Sequence, residues 1–287
     1  MGMPDTIERL GRSTIQHGPL NRRIYVIKLH RDDVPDILGD LDALTRREGY
    51  EKIVVKAPAA LAELFMADGY RKEAAIPGFF GGRETMVFMS KFTAKTRLTD
   101  GHLTRYRSML ATIDRKKPPR HRSSISDRGA VIRCRPADAG PLSRLYGQVF
   151  ISYPFPIDDP AFLRRAMKHH VDYYAVRHRG QLVAAAAAEK DLEHGSVEMT
   201  DFATVPVRRA RGLGTRLLAV MESDMADIGL TTSFSIARAA SFGMNAVFGK
   251  QGYRCGGLLI NNTNIAGRIE SMTVWYKHLP AKADSSA

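Results

Sequence analysis

The chain alternates short apolar, β-branched runs with segments whose apolar residues fall at helical spacing. Residues 24–29 (IYVIKL) and 52–57 (KIVVKA) suit buried strands. Between them Val34, Ile37, Leu38, Leu41 and Leu44 line one face of a helix, which Gly49 closes. Leu61, Leu64 and Phe65 mark a shorter helix ending at Gly69-Tyr70, and strands are expected at 71–77 and 84–92. The first hundred residues thus read β-α-β-α-β-β. A helix from Leu98 to Ile113 runs into a basic, Pro- and Ser-rich stretch at 115–126.

A second unit opens with a strand at 131–134 and a helix on Leu142, Leu145, Tyr146 and Val149. The segment Ser152-Tyr153-Pro154-Phe155-Pro156 is too proline-rich for regular structure. A helix over 160–170 leads to strands at 172–178, 181–189 and 196–205. A long helix over 212–228, a strand at 231–237, a helix over 241–251 and strands at 253–261 and 269–277 complete the pattern. The halves echo each other. Gly49 precedes Gly69-Tyr70 by 20 residues, and Gly229 precedes Gly252-Tyr253 by 23, each with a strand and a helix between and two strands after. This reads as a diverged internal repeat.

Composition narrows the class. With 44% hydrophobic and 25% charged residues the chain is an ordinary globular sequence, which excludes disorder as its main state. Its purest apolar stretch, Leu182–Ala188, is far too short for a membrane span, and the N-terminus lacks a signal-peptide core. Two cysteines, Cys134 and Cys255, cannot build a disulfide framework or a thiolate metal site. A cytoplasmic protein without a metal is expected. The net charge of +13 favours a polyanionic partner: nucleic acid, an anionic membrane or a phosphate-bearing cofactor. The dense run Arg115-Lys116-Lys117-Pro118-Pro119-Arg120-His121-Arg122 has no interleaved aromatics and reads as a solvated linker. A basic nucleic-acid-binding protein is the alternative from another class.

The strongest chemical signal is Pro206-Val207-Arg208-Arg209-Ala210-Arg211-Gly212-Leu213-Gly214-Thr215, between a strand and the long helix. A strand-to-helix turn with two glycines exposes successive backbone amides at the positive helix end, a cradle for a pyrophosphate. Arg208, Arg209 and Arg211 add cationic donors. A dinucleotide fingerprint would need a third glycine at 217, which is Leu.

The loop resembles the acetyl-CoA signature of the GNAT N-acetyltransferases, R/Q-x-x-G-x-G/A, in Arg209, Gly212 and Gly214. The order of elements from 131 to 277 resembles that family too. Further stretches resemble the β-lysine N6-acetyltransferases in particular: Met199–Thr204 (MTDFAT), Arg254–Thr263 (RCGGLLINNT), Val274–Lys277 (VWYK), Ser13–Gly18 (STIQHG) and Ile76–Phe79 (IPGF). The likeness runs from about residue 5 to 279. It implies an α/β (α+β) GNAT fold, a mixed and mostly antiparallel sheet flanked by helices, with an N-terminal GNAT-like half-domain. The expected units are residues 1–95, a helical and basic linker over 96–127, the acetyltransferase domain over 128–280 and a disordered tail over 281–287. The implied reaction is acetyl transfer from acetyl-CoA to the ε-amine of β-lysine, whose product serves that family as a compatible solute. Another small amine or a protein lysine is the rival acceptor.

The residues fit such chemistry. An ε-amine with pKa ~10.4 is unprotonated in only about one molecule in 2500 at pH 7, so a base must sit beside the thioester. The strand before the loop offers Glu198 and Asp201. Strict alternation puts Glu198, Thr200, Phe202 and Thr204 on one face and Met199, Asp201 and Ala203 on the other. Glu198 matches the position of a general-base glutamate in several members of the wider family; Asp201 is the second candidate, or the partner of the substrate's cationic end. The backbone at Phe202, Ala203 and Thr204 is expected to pair with the pantetheine, and Arg209, Ala210, Arg211, Gly212, Leu213, Gly214 and Thr215 to hold the pyrophosphate. Phe248 stands where the family often has a tyrosine acid. Ser241 stands where it often has an asparagine at the next helix start, with Asn245 as fallback. For the acceptor, Tyr153, Asp158 and Asp159 on one loop, and Asn261 and Asn262 with Glu270 on the final hairpin, are the expected walls. Asp158 and Asp159 equally suit the cap of a helix opening at Pro160. Direct attack in a ternary complex is expected.

Overall fold

The computed structural model describes residues 5–114, 131–151 and 153–280; the basic stretch at 115–126 and the expected tail at 281–287 lie outside the described residues. Among the described residues, thirteen strands form one sheet, in the order β1-β2-β3-β4-β6-β5-β12-β13-β11-β10-β9-β8-β7. The N-terminal half contributes β1 (Thr6–Leu10), β2 (Ser13–Gly18), β3 (Arg23–Lys28), α1 (Ile37–Glu48), β4 (Lys52–Pro58), α2 (Ala62–Ala67), β5 (Arg71–Phe80) and β6 (Glu84–Phe92). Next come α3 (Lys95–Leu98) and α4 (Leu103–Asp114). The C-terminal half contributes β7 (Val131–Arg133), α5 (Ala139–Val149), α6 (Pro160–His169), β8 (Val171–His178), β9 (Gln181–Asp191), β10 (Ser196–Thr204), α7 (Leu213–Asp227), β11 (Thr232–Arg238), α8 (Phe242–Lys250), β12 (Arg254–Ile265) and β13 (Arg268–His278).

The internal echo becomes topology. β3 and β4 are parallel with α1 between them, as β10 and β11 are with α7, and each pair is completed by a short helix and an antiparallel hairpin. The halves meet where β5 and β12 touch antiparallel, at Ala74 and Gly257. Gly49 ends α1 in the left-handed conformation, φ 66°, which a residue with a Cβ adopts at a cost.

Three expectations change. The hairpin β1–β2 is additional; its sequence, TIERL and STIQHG, is too polar to announce a strand, and pairing onto β3 decides it. The helix expected over 98–113 is broken, because Thr99 is extended (φ −117°) between α3 and α4. Asn261–Asn264 are not a turn but part of β12, and the turn is Ala266-Gly267, both at positive φ.

One core lies between α5–α8 and the C-terminal strands, and a second between α1, α2 and the N-terminal strands. A third joins the halves: Val54, Phe79 and Phe88 pack with Phe234, Leu259 and Met272. Beside it Lys52, whose side chain is fully buried, donates to Glu73 at 2.6 Å and to the Ile260 carbonyl at 2.8 Å. The other Glu73 oxygen accepts from the Ile260 amide at 2.8 Å. Burial presses the Lys52 ammonium down to about 7, against the pull of Glu73. Removing one partner strands the other charge, so Glu73→Gln is expected to cost about 3–5 kcal/mol in urea unfolding. A loss under about 1 kcal/mol would mean that the pair contributes little.

Candidate active site

β10 and β11 pair in register only from Ser196–Thr232 to Glu198–Phe234. Beyond that point β10 is held by β9 and β11 by β13, and the two parallel strands diverge. A bulge on β10 accompanies the divergence: between Thr200 and Ala203 two residues oppose one on β9, and Asp201 sits at φ 55°. The bulge overturns the strict alternation expected from the sequence. Thr200 and Asp201, neighbours that a flat strand would send to opposite faces, both line the same cleft.

That cleft has a volume of about 650 Å³. Its walls are Thr200, Asp201, Phe202 and Thr204 on one side, Ser235–Arg238 on the other, and the loop Arg208–Thr215 at one end. The loop takes its shape from Ala210 and Gly212, both at positive φ, and from the Arg209 guanidinium donating to the Thr204 carbonyl at 3.2 Å. Gly212 precedes the first turn of α7 without a side-chain cap, so the first amides of that turn have no intrahelical partner. No heavy atom lies within 4 Å of a Cβ built at Gly212, so a larger residue there would fill open space at the loop.

Three carboxylates stand together on β9 and β10, of which Asp201 lines the cleft while Glu189 and Glu198 lie beyond its lining residues. Glu189 on β9 is directly opposite Glu198 on β10, and Asp201 follows at the bulge. The Tyr153 hydroxyl donates to Asp201 at 2.5 Å and Thr200 adds a longer contact of 3.4 Å. Burial raises all three acids, and like charge adds to it at two of them: Glu189 is pushed up to about 8 by burial and by Glu198 and Asp201, and Asp201 to about 6 by burial and by Glu198, against the Tyr153 hydrogen bond. Glu198 is raised by burial and drawn back by Lys56, whose ammonium lies 3.9 Å from it. Lys56 belongs to β4 of the N-terminal half and sits over the rings of Tyr25 and Phe234, at 5.5 and 5.0 Å. Glu189, Lys56 and Tyr25 were not among the sequence candidates. A charged residue closing an apolar run, as in AAAAAE and KIVVK, is the signal that points to the first two.

Of the expected residues, Tyr153, Asp201, Phe202, Thr204, Arg209–Thr215, Ser241 and Phe248 line the cleft. Ala203 turns into the core behind it. Ser241 caps α8, accepting from the Met244 amide. Phe248 is buried against Phe202, Tyr253 and Trp275. Asn245 does not reach the cleft: its carbonyl accepts from Thr273 and Trp275 and its amide donates to Arg238 and Ser241, so its hydrogen bonds are spent in the core. Asp159 takes the capping role, accepting from Ala161 and Phe162, and Asp158 is exposed outside the cleft. Asn261 and Asn262 join the halves instead of walling the site; Asn261 donates to Arg97 and Thr99, and the Asn262 carbonyl accepts from Arg23 and Arg97. Glu270 is saturated by Arg238 and Arg268, which hold it below the usual carboxylate range and leave nothing for an ammonium.

Residues 142–253 match the model of the acetyltransferase (GNAT) family. The chain is 34% identical to the β-lysine N(6)-acetyltransferase of Methanococcus maripaludis over 95% of its own length and 98% of that protein. The chain belongs to the GNAT acetyltransferase family. This acetyltransferase is also 34% identical to N-acetyltransferase YodP of Bacillus subtilis, over 93% of the chain and 96% of that protein. It is 28% identical to the β-lysine N(6)-acetyltransferase of Methanosarcina mazei, over 85% and 97%. It is an acetyl-CoA-dependent N-acetyltransferase with the GNAT fold. Among its described residues no helix is long and apolar enough to cross a membrane.

Proposed function

We propose that this acetyltransferase moves acetyl from acetyl-CoA to the N6 amine of β-lysine, by direct attack in a ternary complex. The observation that carries the reading is the cluster of three buried carboxylates that reaches the cleft at Asp201, in a chain similar along nearly its whole length to enzymes named for that acceptor. A dicationic acceptor entering such a site meets the negative charge it needs, and the raised acids suit proton acceptance near neutral pH.

The amides of the loop Arg209–Thr215 and the first turn of α7 hold the pyrophosphate, with Arg208, Arg209 and Arg211 beside it. The pantetheine lies between the diverging strands, where β10 and β11 offer each other no hydrogen bonds, and a backbone amide at Phe202–Thr204 polarises the thioester carbonyl. Asp201, oriented by Tyr153, holds the ε-ammonium, Glu198 takes its proton, and the neutral amine so formed attacks the thioester carbonyl and expels the CoA thiolate. Phe248 offers no proton to the leaving thiolate; a thiol of pKa ~8.5 departs without one. Neither Cys134 nor Cys255 lines the cleft, and burial lifts the Cys134 thiol to about 12, which fits attack by the amine itself.

Initial rates of thiol release with β-lysine, α-lysine, linear diamines, polyamines and lysine peptides test the assignment. Saturation by β-lysine with the highest kcat/KM is expected. A peptide or polyamine turned over more efficiently would replace β-lysine as the acceptor.

A further inference from the structure

The cleft is lined entirely by the C-terminal half, yet the carboxylate cluster that reaches it at Asp201 is completed from outside that half. Glu198 faces Glu189 across the β9–β10 ladder, Asp201 one bulge further along β10, Lys56 from β4 and Tyr25 from β3. Tyr153 closes the group from the loop after α5. Three acids this close, with 6% exposure at Asp201 and 19% for the Glu198 side chain, cannot all ionise without a cation among them. Lys56 is the cation that lowers both Glu189 and Glu198.

Its placement fits that task. The side chain is only 12% exposed, and the Tyr25 and Phe234 rings stand where water would otherwise solvate the ammonium. Its separation from Glu198, 3.9 Å, is close enough for strong attraction but too long for a hydrogen bond. Lys56 thus opposes the upward pull of burial on Glu198 without taking up its lone pairs in a hydrogen bond.

We propose that Lys56 is a positioning residue of the acetyl-transfer site, through which the N-terminal half keeps the proton acceptor Glu198 ionised. The second half-sheet is then part of the active site and not only a support for the first. The proposal rests on Glu198 being the proton acceptor.

The test is the pH dependence of kcat/KM for Lys56→Met, Lys56→Gln and Lys56→Arg in the full chain, with acetyl-CoA affinity and thermal midpoint as checks of folding. Without the cation the acidic limb is expected to move up by about one unit or more, so that activity near pH 6 drops roughly 10-fold while the rate above pH 9 approaches the parent's. Lys56→Arg keeps the limb near its original place. In a Glu198→Gln background, Lys56→Met adds no further shift, because the residue acts through that carboxylate. An unmoved limb in both neutral variants, an equal loss at every pH, or an arginine variant that behaves like the methionine one overturns the proposal. Near-parental activity of Glu198→Gln alone would instead overturn the assignment of the base.

Discussion

Glu198→Gln is expected to lower kcat about 10²- to 10⁴-fold at pH 7, with the acetyl-CoA dissociation constant changed less than about twofold. The separation follows from geometry. Glu198 stands at the last paired position of β10 and β11, beyond the residues that line the cleft, so on the proposed mechanism its loss removes the proton acceptor without altering the walls proposed to hold acetyl-CoA. The pH profile carries a second signature. A base works only when deprotonated, and burial has raised this cluster, with Asp201 up to about 6 and Glu189 up to about 8. The parent's kcat/KM should therefore fall as pH drops through that window, as an apparent limb belonging to the coupled group. In the glutamine variant that limb should be lost, and the residual rate should climb with pH along the amine's own titration toward ~10.4. A variant that keeps both kcat and the limb would shift the role to Asp201, for which Asp201→Asn is the matching experiment.

Gly257→Val carries the largest expected effect on stability. A Cβ at Gly257 would lie 2.3 Å from the Glu73 carbonyl oxygen and 2.6 Å from the Ala74 Cα, both backbone, at a φ of +148° that suits glycine alone. Its neighbour Gly256 is as tight, with a built Cβ 2.3 Å from the Ala75 carbonyl oxygen. Strain and overpacking together are expected to cost about 2–6 kcal/mol in denaturant unfolding. The site of the damage matters as much as its size. β5 and β12 meet here, so forcing them apart moves Lys56 and Tyr25 away from Glu198 while leaving the loop at Gly212 untouched. At temperatures where the variant is folded, acetyl-CoA should still bind while turnover falls, and hydrogen exchange should accelerate in β5 and β12. A variant as stable and active as the parent would show that the junction tolerates a side chain.

The loop Arg208–Thr215 at the end of the cleft was legible because its geometry is local. A strand, two glycines and a helix in succession expose amides whatever else the chain does, and the residues of that loop are neighbours in sequence. The same holds for the repeated order of strands and helices, which follows from periodicity and from glycines ending helices. The acceptor side was legible only in part. Glu198 and Asp201 stand in one strand and could be named as candidates, but their arrangement was misjudged, because one extra residue at the bulge redirects Asp201 toward the cleft. Asn245, Asn261, Asn262 and Glu270 have the polarity of ligand-binding residues, yet internal donors and acceptors occupy them.

What the sequence by itself determined is the class of most elements, the glycine-containing turn between a strand and a long helix, and the presence of a carboxylate before it. What only the tertiary structure decided is which charges share a space. Glu189, Glu198, Lys56 and Tyr25 come from four strands spread over more than half of the chain, and their effects on one another depend on distance and on exclusion of water. Neither quantity is encoded in spacing along the sequence, because both arise when β5 meets β12 and one half of the sheet closes over the other.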